Sequence, residues 1–216
     1  VKALRARKPS SERTKARIIR AARQVLVKKG SSSSASITRV CAAARITRPT
    51  FYHYFRSSRA LLLAVHMASI EGSLKPYLEK AVSIDDPEAR LSFMVRTFVK
   101  EIICVYPELR VLIHDSLGTE GKPFREIRTE WRRHYMLFAD TIKQIQNEGR
   151  MGPDIKPSWA ALFLLGMLTW TTYWFDFDRK GSVEAITDHA EKLVFNALGL
   201  DQGGILEWQR KSTPIW

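Results

Sequence analysis

The sequence predicts an all-α chain of about nine helices: an N-terminal three-helix head holding a helix-turn-helix, then a longer C-terminal helical bundle. Three observations lead there. Apolar residues recur at intervals of three, four or seven from Ile18 to Leu198, and no stretch alternates with the period of a strand. Capping residues, prolines and glycines fall between those runs at positions that start and stop helices. The excess positive charge is confined to the front of the chain.

The elements follow in order. Lys2, Arg5, Arg7 and Lys8 form a basic arm without periodicity. Ile18, Ala22, Val25 and Leu26 give one apolar face to a helix over residues 12–29, which Gly30 stops. After the Ser31–Ser34 loop, Ser36 is placed to cap a short helix carrying Val40, Cys41 and Ala42 to Ala44. Arg45 and Ile46 turn the chain, and Thr47 caps a second short helix running through Tyr54. Pro49 sits in its first turn, where a missing N–H is harmless. A helix from near Ser57 to about Ala81 is expected to kink before Pro76.

Asp86-Pro87 opens the next helix, with Leu91, Phe98, Ile102 and Val105 on one face, and Pro107 restarts a short one with Leu109, Leu112 and Ile113. Pro123 begins a long helix with Phe124, Ile127, Trp131, Phe138, Ile142 and Ile145, ended by Gly149. Pro157 opens a tryptophan-rich helix reaching near Asp178. Ser182 caps the last, lined by Ile186, Ala190, Leu193, Val194, Ala197 and Leu198 and closed by Gly199. Residues 200–216 show no pattern.

Charge narrows the function. Residues 1–58 carry fifteen Lys and Arg against Glu12 alone, a net +14, whereas residues 59–216 carry 20 against 21 acids, a net −1. A polyanion is the natural partner of so basic a quarter, through release of its counterions. Cys41 and Cys104 sit in apolar runs at no metal-ligand spacing and read as reduced structural thiols, as in a cytoplasmic chain. The longest nearly uncharged run, Trp159 to Phe175, has 17 residues with Gly166 and three threonines inside it. It reads as a buried helix rather than a membrane span, and no apolar leader segment follows the basic start.

Two short helices across a tight turn, in that basic quarter, suggest a helix-turn-helix. The first needs small residues where it meets the second, hence Ala42, Ala43 and Ala44. The stretch from Ser36 to Phe55, SITRVCAAARITRPTFYHYF, resembles the DNA-binding signature of the TetR family of regulators, and TKARIIRAA from Thr14 resembles that family's first helix. The order of elements is similar along nearly the whole chain. Two departures stand out. Arg45 occupies the turn position where the family usually has Gly, and Ser58-Arg59 replaces the usual Lys-Glu. If the turn needs a positive φ, it is either strained at Arg45 or shaped differently.

The resemblance implies a double-stranded DNA operator as partner and assigns roles. Ser36 and Thr47 would cap helices whose N–H groups meet phosphates. Arg48, Pro49 and Thr50 would start the groove-facing helix, and Tyr52, His53 and Tyr54 would touch phosphates or base edges. Arg39 would reach the backbone or a base, and the phosphate contact of the missing lysine would pass to Arg56 or Arg59 or be absent. Arg48 is the expected guanine reader, because its fork matches N7 and O6. Phe51 and Phe55, four apart, are expected in the core.

The helix from Trp159 is apolar nearly all round, so it must be covered on more than one side; one side can face the core and the other a second subunit, the alternative being a core helix of a monomer. The resemblance implies a homodimer through the last two helices. It extends to a subgroup that senses acyl-CoA thioesters, which makes such a thioester a candidate small-molecule effector. Phe98, Ile102, Leu112, Trp131, Phe138, Leu162, Trp170 and Trp174 are the expected pocket, with Arg128, Arg132 or Arg133 offsetting an anionic head group. The domains expected are 1–58 for DNA and 59–216 for ligand and dimer.

No phosphate-loop, dinucleotide or nucleophile-elbow motif occurs, and His53, His66, His114, His134 and His189 are scattered. An enzyme, a cofactor and a metal are therefore not expected; His114 with His134 is the pair a metal sensor would use. The expected function is a repressor of the cytoplasmic nucleoid, released from a palindromic operator by an apolar or amphipathic ligand. The alternative is an acyl-thioester- or lipid-binding protein whose basic front contacts acidic surfaces without sequence specificity. An architectural DNA binder with no ligand response is a third.

Overall fold

A computed structural model of the chain describes residues 9–27, 37–103, 122–175 and 182–200. Among them every regular element is helical: α1 Pro9–Val27, α2 Ile37–Ala44, α3 Arg48–Tyr54, α4 Ser58–Ser69, α5 Lys75–Val82, α6 Pro87–Thr97, α7 Lys122–Asn147, α8 Pro157–Trp174 and α9 Ser182–Ala197. The expected Ser36 cap, the short helix at Leu109–Ile113, Cys104, His114 and residues 201–216 lie outside the described residues. The chain divides into two compact units, Val1–Ser69 with Pro107–Arg125, and Ile70–Tyr106 with Glu126–Trp216.

In the first unit α1 packs on α2 and α4, and α2 packs on α3. Helix α1 begins at Pro9 rather than near residue 12. Proline suits a first helical turn, where its fixed φ fits and its absent N–H has no partner to lose. Ile18, Ala21 and Ala22 from α1 meet Val40, Cys41 and Ala44 from α2 and Phe51, Phe55, Leu61 and Val65 further on in the buried core. Of the three alanines expected at the α2–α3 contact only Ala44 is buried; Ala42 and Ala43 are exposed. The side chain of Arg23 reaches from α1 to the end of α4, donating to Ser69 Oγ at 2.8 Å.

In the second unit, Ile70–Leu74 forms a π-helical turn ahead of α5. The expected kink before Pro76 takes this form: an α-ladder would bring the proline ring against the carbonyl four residues back, and the wider turn relieves it. Asp86 caps α6, its Oδ1 accepting from the Ala89 N–H at 2.7 Å. Its other oxygen holds Arg150, whose guanidinium also reaches Glu88 at 2.7 Å. A second π-helical stretch, Phe98–Ile103, follows α6 and packs on α8 and α9. Helix α9 is pinned to α6 by Arg96, which bonds Asp188 at 2.7 Å and Glu191 at 2.6 Å, while Ser92 donates to the other Glu191 oxygen. Helix α8 stops at Trp174, the N–H of Phe175 bonding back to the Thr171 carbonyl, short of the expected Asp178.

Three helices end in the same way. After α7, Gly149 has φ 72 and after α9 Gly199 has φ 69; each is followed by an N–H bonded five residues back, Arg150 to Ile145 at 3.1 Å and Leu200 to Phe195 at 2.9 Å. After α2 the left-handed position is Arg45, with φ 51, and the Ile46 N–H reaches the Cys41 carbonyl at 3.0 Å. The turn thus keeps the geometry glycine would give and carries an arginine in it. A β-carbon in that region costs about 1 kcal/mol. Arg45→Gly is therefore expected to stabilise the protein by about 0.5–1 kcal/mol, read as a higher urea midpoint; a lower midpoint would show that the Arg45 side chain contributes more than the backbone strain removes.

Candidate DNA interface and effector region

Helix α3 is seven residues long and two-sided. Thr47, extended at φ −85 and ψ 160, accepts the Thr50 N–H on its Oγ1 at 3.3 Å, and the two hydroxyls lie 2.8 Å apart. This capping orients the first turn, in which the Thr50 and Phe51 N–H groups are bonded to Thr47 and Pro49 has none. Phe51 is wholly buried and Phe55 nearly so, their ring centroids 5.9 Å apart. With that side anchored, Arg48, Pro49, Tyr52 and His53 project outward; Tyr52 is 52% exposed despite its edge contact with Phe51. Thr50 and Tyr54 are half-buried, as is Arg39 on α2. Arg56 and Arg59 are exposed beyond α3. The structure therefore brings every described residue expected at DNA onto the head, and Ser36 lies outside the described residues. Thr38, missed in the sequence, belongs to this face: its Oγ1 accepts from Arg48 Nη2 at 2.9 Å.

The second unit separates the expected pocket residues into two groups. Phe98, Trp131 and Phe138 gather around His134, at centroid distances of 4.7, 5.8 and 5.1 Å. Tyr77 completes the cluster, its hydroxyl 3.0 Å from His134 Nε2. Both polar residues were missed as partners of the aromatic set, although register alone places His134 between Trp131 and Phe138 on the face that begins at Ile127. Burial drives the His134 ring down to about 3 and the Tyr77 phenol up, so both are neutral. Arg128 is exposed, the side chain of Ile102 and all of Leu112 lie outside the described residues, and the described residues include no cluster of His, Cys, Asp or Glu fit for a metal.

Leu162, Trp170 and Trp174 are not with that cluster. They stand on the open side of α8, in one stripe with Trp159, Phe163 and Met167; Phe163 is 76% exposed and Trp170 60%. The inner side of the same helix buries Ala161, Leu164 and Leu168. Met167, Trp170 and Trp174 on α8 and Ile186, His189 and Leu193 on α9 line an open groove of about 400 Å³. An apolar stripe of this length is characteristic of an association surface.

A short polar-faced helix set on a basic three-helix head, with a helical body carrying an open apolar face, defines a helix-turn-helix DNA-binding protein. Residues 18–65 match the tetR family of bacterial regulatory proteins, and residues 84–198 match the tetracyclin repressor-like C-terminal domain. The chain belongs to the TetR family: it is a DNA-binding transcriptional regulator with a ligand-binding C-terminal domain, of a family that acts as homodimers. The HTH-type transcriptional regulator UidR of Escherichia coli K12 is 24% identical over 158 residues, 71% of this chain and 77% of UidR. Among solved structures, AibR in complex with isovaleryl coenzyme A and operator DNA shares 22% identity with a TM-score of 0.74, over 84% of this chain and 98% of AibR. The ketosteroid regulator KstR2 of Mycobacterium tuberculosis shares 14% with a TM-score of 0.76, over 85% and 94%. These structures share the fold. The alternative of a lipid-binding protein with a nonspecific basic front is not favoured. No described helix is long and apolar enough to cross a membrane.

The burial of His66 and His134 predicts that stability falls in acid. His66 is lowered by burial to about 4 and His134 to about 3, against about 6.5 in the unfolded chain. Well above about pH 6.5 both rings are neutral in both states. Below it the unfolded chain takes up protons that the folded one refuses, so each histidine removes up to about 1.4 kcal/mol of stability per pH unit until its folded value is reached. Urea unfolding between pH 6 and 4.5 is expected to fall less steeply in His134→Gln than in the parent, by about 1 kcal/mol per unit. Equal slopes would mean that the ring is protonated inside the fold.

Proposed function

We propose that the protein is a repressor that grips a palindromic operator with two copies of α3 and lets go when a small apolar or amphipathic ligand enters the second unit. The observation that carries this is the two-sidedness of α3: Phe51 and Phe55 inside, Arg48, Pro49, Tyr52 and His53 outside, on a stretch of net charge +14. Arg48 is assigned to a guanine edge, and Arg39, Thr47, Thr50, Tyr54, Arg56 and Arg59 to the backbone around it. The DNA-binding domain is taken as residues 1–58 and the ligand and dimer domain as 59–216. The protein acts in the cytoplasm on the nucleoid, without catalysis or a cofactor.

The dimer is assigned to α8 and α9. Covering the Trp159–Trp174 stripe with its own copy removes a large apolar surface from water and fixes the spacing of the two heads, about 34–36 Å for successive major grooves. The effector is assigned to the neighbourhood of Phe98, Trp131 and Phe138, where Tyr77 and His134 are the polar groups available to orient it. An acyl-CoA thioester is one candidate; AibR, whose fold this chain shares, was solved with isovaleryl coenzyme A and operator DNA. Whatever the ligand, it must bind the released form better than the DNA-bound form, since only differential affinity moves the balance.

Selection from a random duplex library tests the repressor reading. A two-fold symmetric site is expected, whose log affinity falls by about 0.9 per log unit of salt for each phosphate neutralised; no selectable site, or no salt dependence, contradicts it. Adding acyl-CoA thioesters to that complex tests the effector. Phe163→Glu tests the dimer: the side chain is exposed, so the fold is kept, while a charge enters the proposed contact. Sedimentation is expected to show monomer and operator affinity to drop at least about tenfold; an unchanged dimer would place the interface elsewhere.

A further inference from the structure

Thr38 is the second residue of α2, and Arg48 opens α3 on the other side of the turn. Both side chains are exposed, and the Arg48 Nη2 donates to Thr38 Oγ1 at 2.9 Å. We propose that Thr38 is a positioning residue for sequence readout, holding the Arg48 guanidinium aimed at one base pair before DNA arrives. The inference rests on the reading of α3 as the recognition helix and names a specificity determinant within it.

The chemistry suits that task. An arginine standing free in water must give up several torsions when it grips a base edge, and an existing bond removes part of that loss. Threonine suits the anchor because its branched β-carbon leaves few χ1 rotamers in a helix, so Oγ1 has few positions to choose from. The acceptor is a neutral hydroxyl rather than a carboxylate, so the guanidinium keeps its charge for the DNA. One of its five N–H donors is engaged and four are left, enough for a bidentate pair on guanine N7 and O6. The backbone around the pair is held independently: the Cys41–Ile46 hydrogen bond closes α2 and the Thr47 hydroxyl opens α3. The direction of Arg48 is therefore the remaining freedom, and Thr38 removes it.

The test uses the full chain with Thr38→Val, Thr38→Ser, Arg48→Ala and the Val/Ala double variant, each checked for an unchanged melting curve. Affinities are measured for the selected operator and every single base-pair change in one half-site. Arg48→Ala is expected to lose about tenfold or more of the preference at one base pair. Thr38→Val is expected to lose at least about threefold at that same base pair and to leave the others within about twofold. Thr38→Ser is expected to restore it, and the double variant to be no worse than Arg48→Ala. Uniform weakening by Thr38→Val, a loss at a different base pair, no loss, or additive losses would each overturn the proposal. If Arg48→Ala flattens no position, the proposal falls while operator binding stands. If the parent protein selects no operator, the recognition-helix reading itself has failed.

Discussion

The turn from Cys41 to Thr47 is the constraint on which the head depends. Arg45 enters the left-handed region at φ 51, which brings the Ile46 N–H back onto the Cys41 carbonyl and ends α2 within one residue. Thr47 then starts α3 at once by accepting the Thr50 N–H. With no slack on either side, the burial of Phe51 fixes the rotation of α3 about its own axis, and that rotation decides which side chains face outward. A looser turn would let α3 roll, and the same residues would no longer present one surface.

The body obeys a different constraint. Its long helices are amphipathic except α8, which has no polar side to give to water. One apolar side is covered by the core through Ala161, Leu164 and Leu168, and the other stays open from Trp159 to Trp174. Both ends of the functional account lie in this unit: a surface that calls for a second copy, and an aromatic cluster with two neutral polar groups, Tyr77 and His134, at its centre. The Arg96–Asp188–Glu191 group, with Ser92, ties α9 to α6, so the open face of α9 is held from behind by bonds that do not use it.

Local chemistry made much of this legible. Thr47 with Pro49, Asp86 with Pro87, and Gly149 and Gly199 announced their helix ends, because capping needs only residues a few positions apart. The four-residue spacing of Phe51 and Phe55 gave the inner side of α3. Other features depend on the tertiary fold. The sequence alone does not separate Leu162, Trp170 and Trp174 from Phe98, because α8 is apolar all round and periodicity cannot say which of two apolar sides turns inward. Ala42 and Ala43 are small enough to fit either side of α2. His134 sat on the correct register, but its polarity hid it among scattered histidines. The Arg96 pairs with Asp188 and Glu191 join residues more than 90 positions apart in sequence, and no local signal marks them. Arg45 was visible as the wrong residue for a left-handed turn; only the backbone shows that the turn is kept.

In the proposed mode of binding, two copies of α3 enter successive major grooves of one duplex. Footprinting of the bound operator with a major-groove methylation probe examines that geometry directly. Two protected guanine patches are expected on one face of the duplex, centred about 10–10.5 base pairs apart and related by a dyad. A single patch, or even protection without a dyad, would contradict that mode of binding.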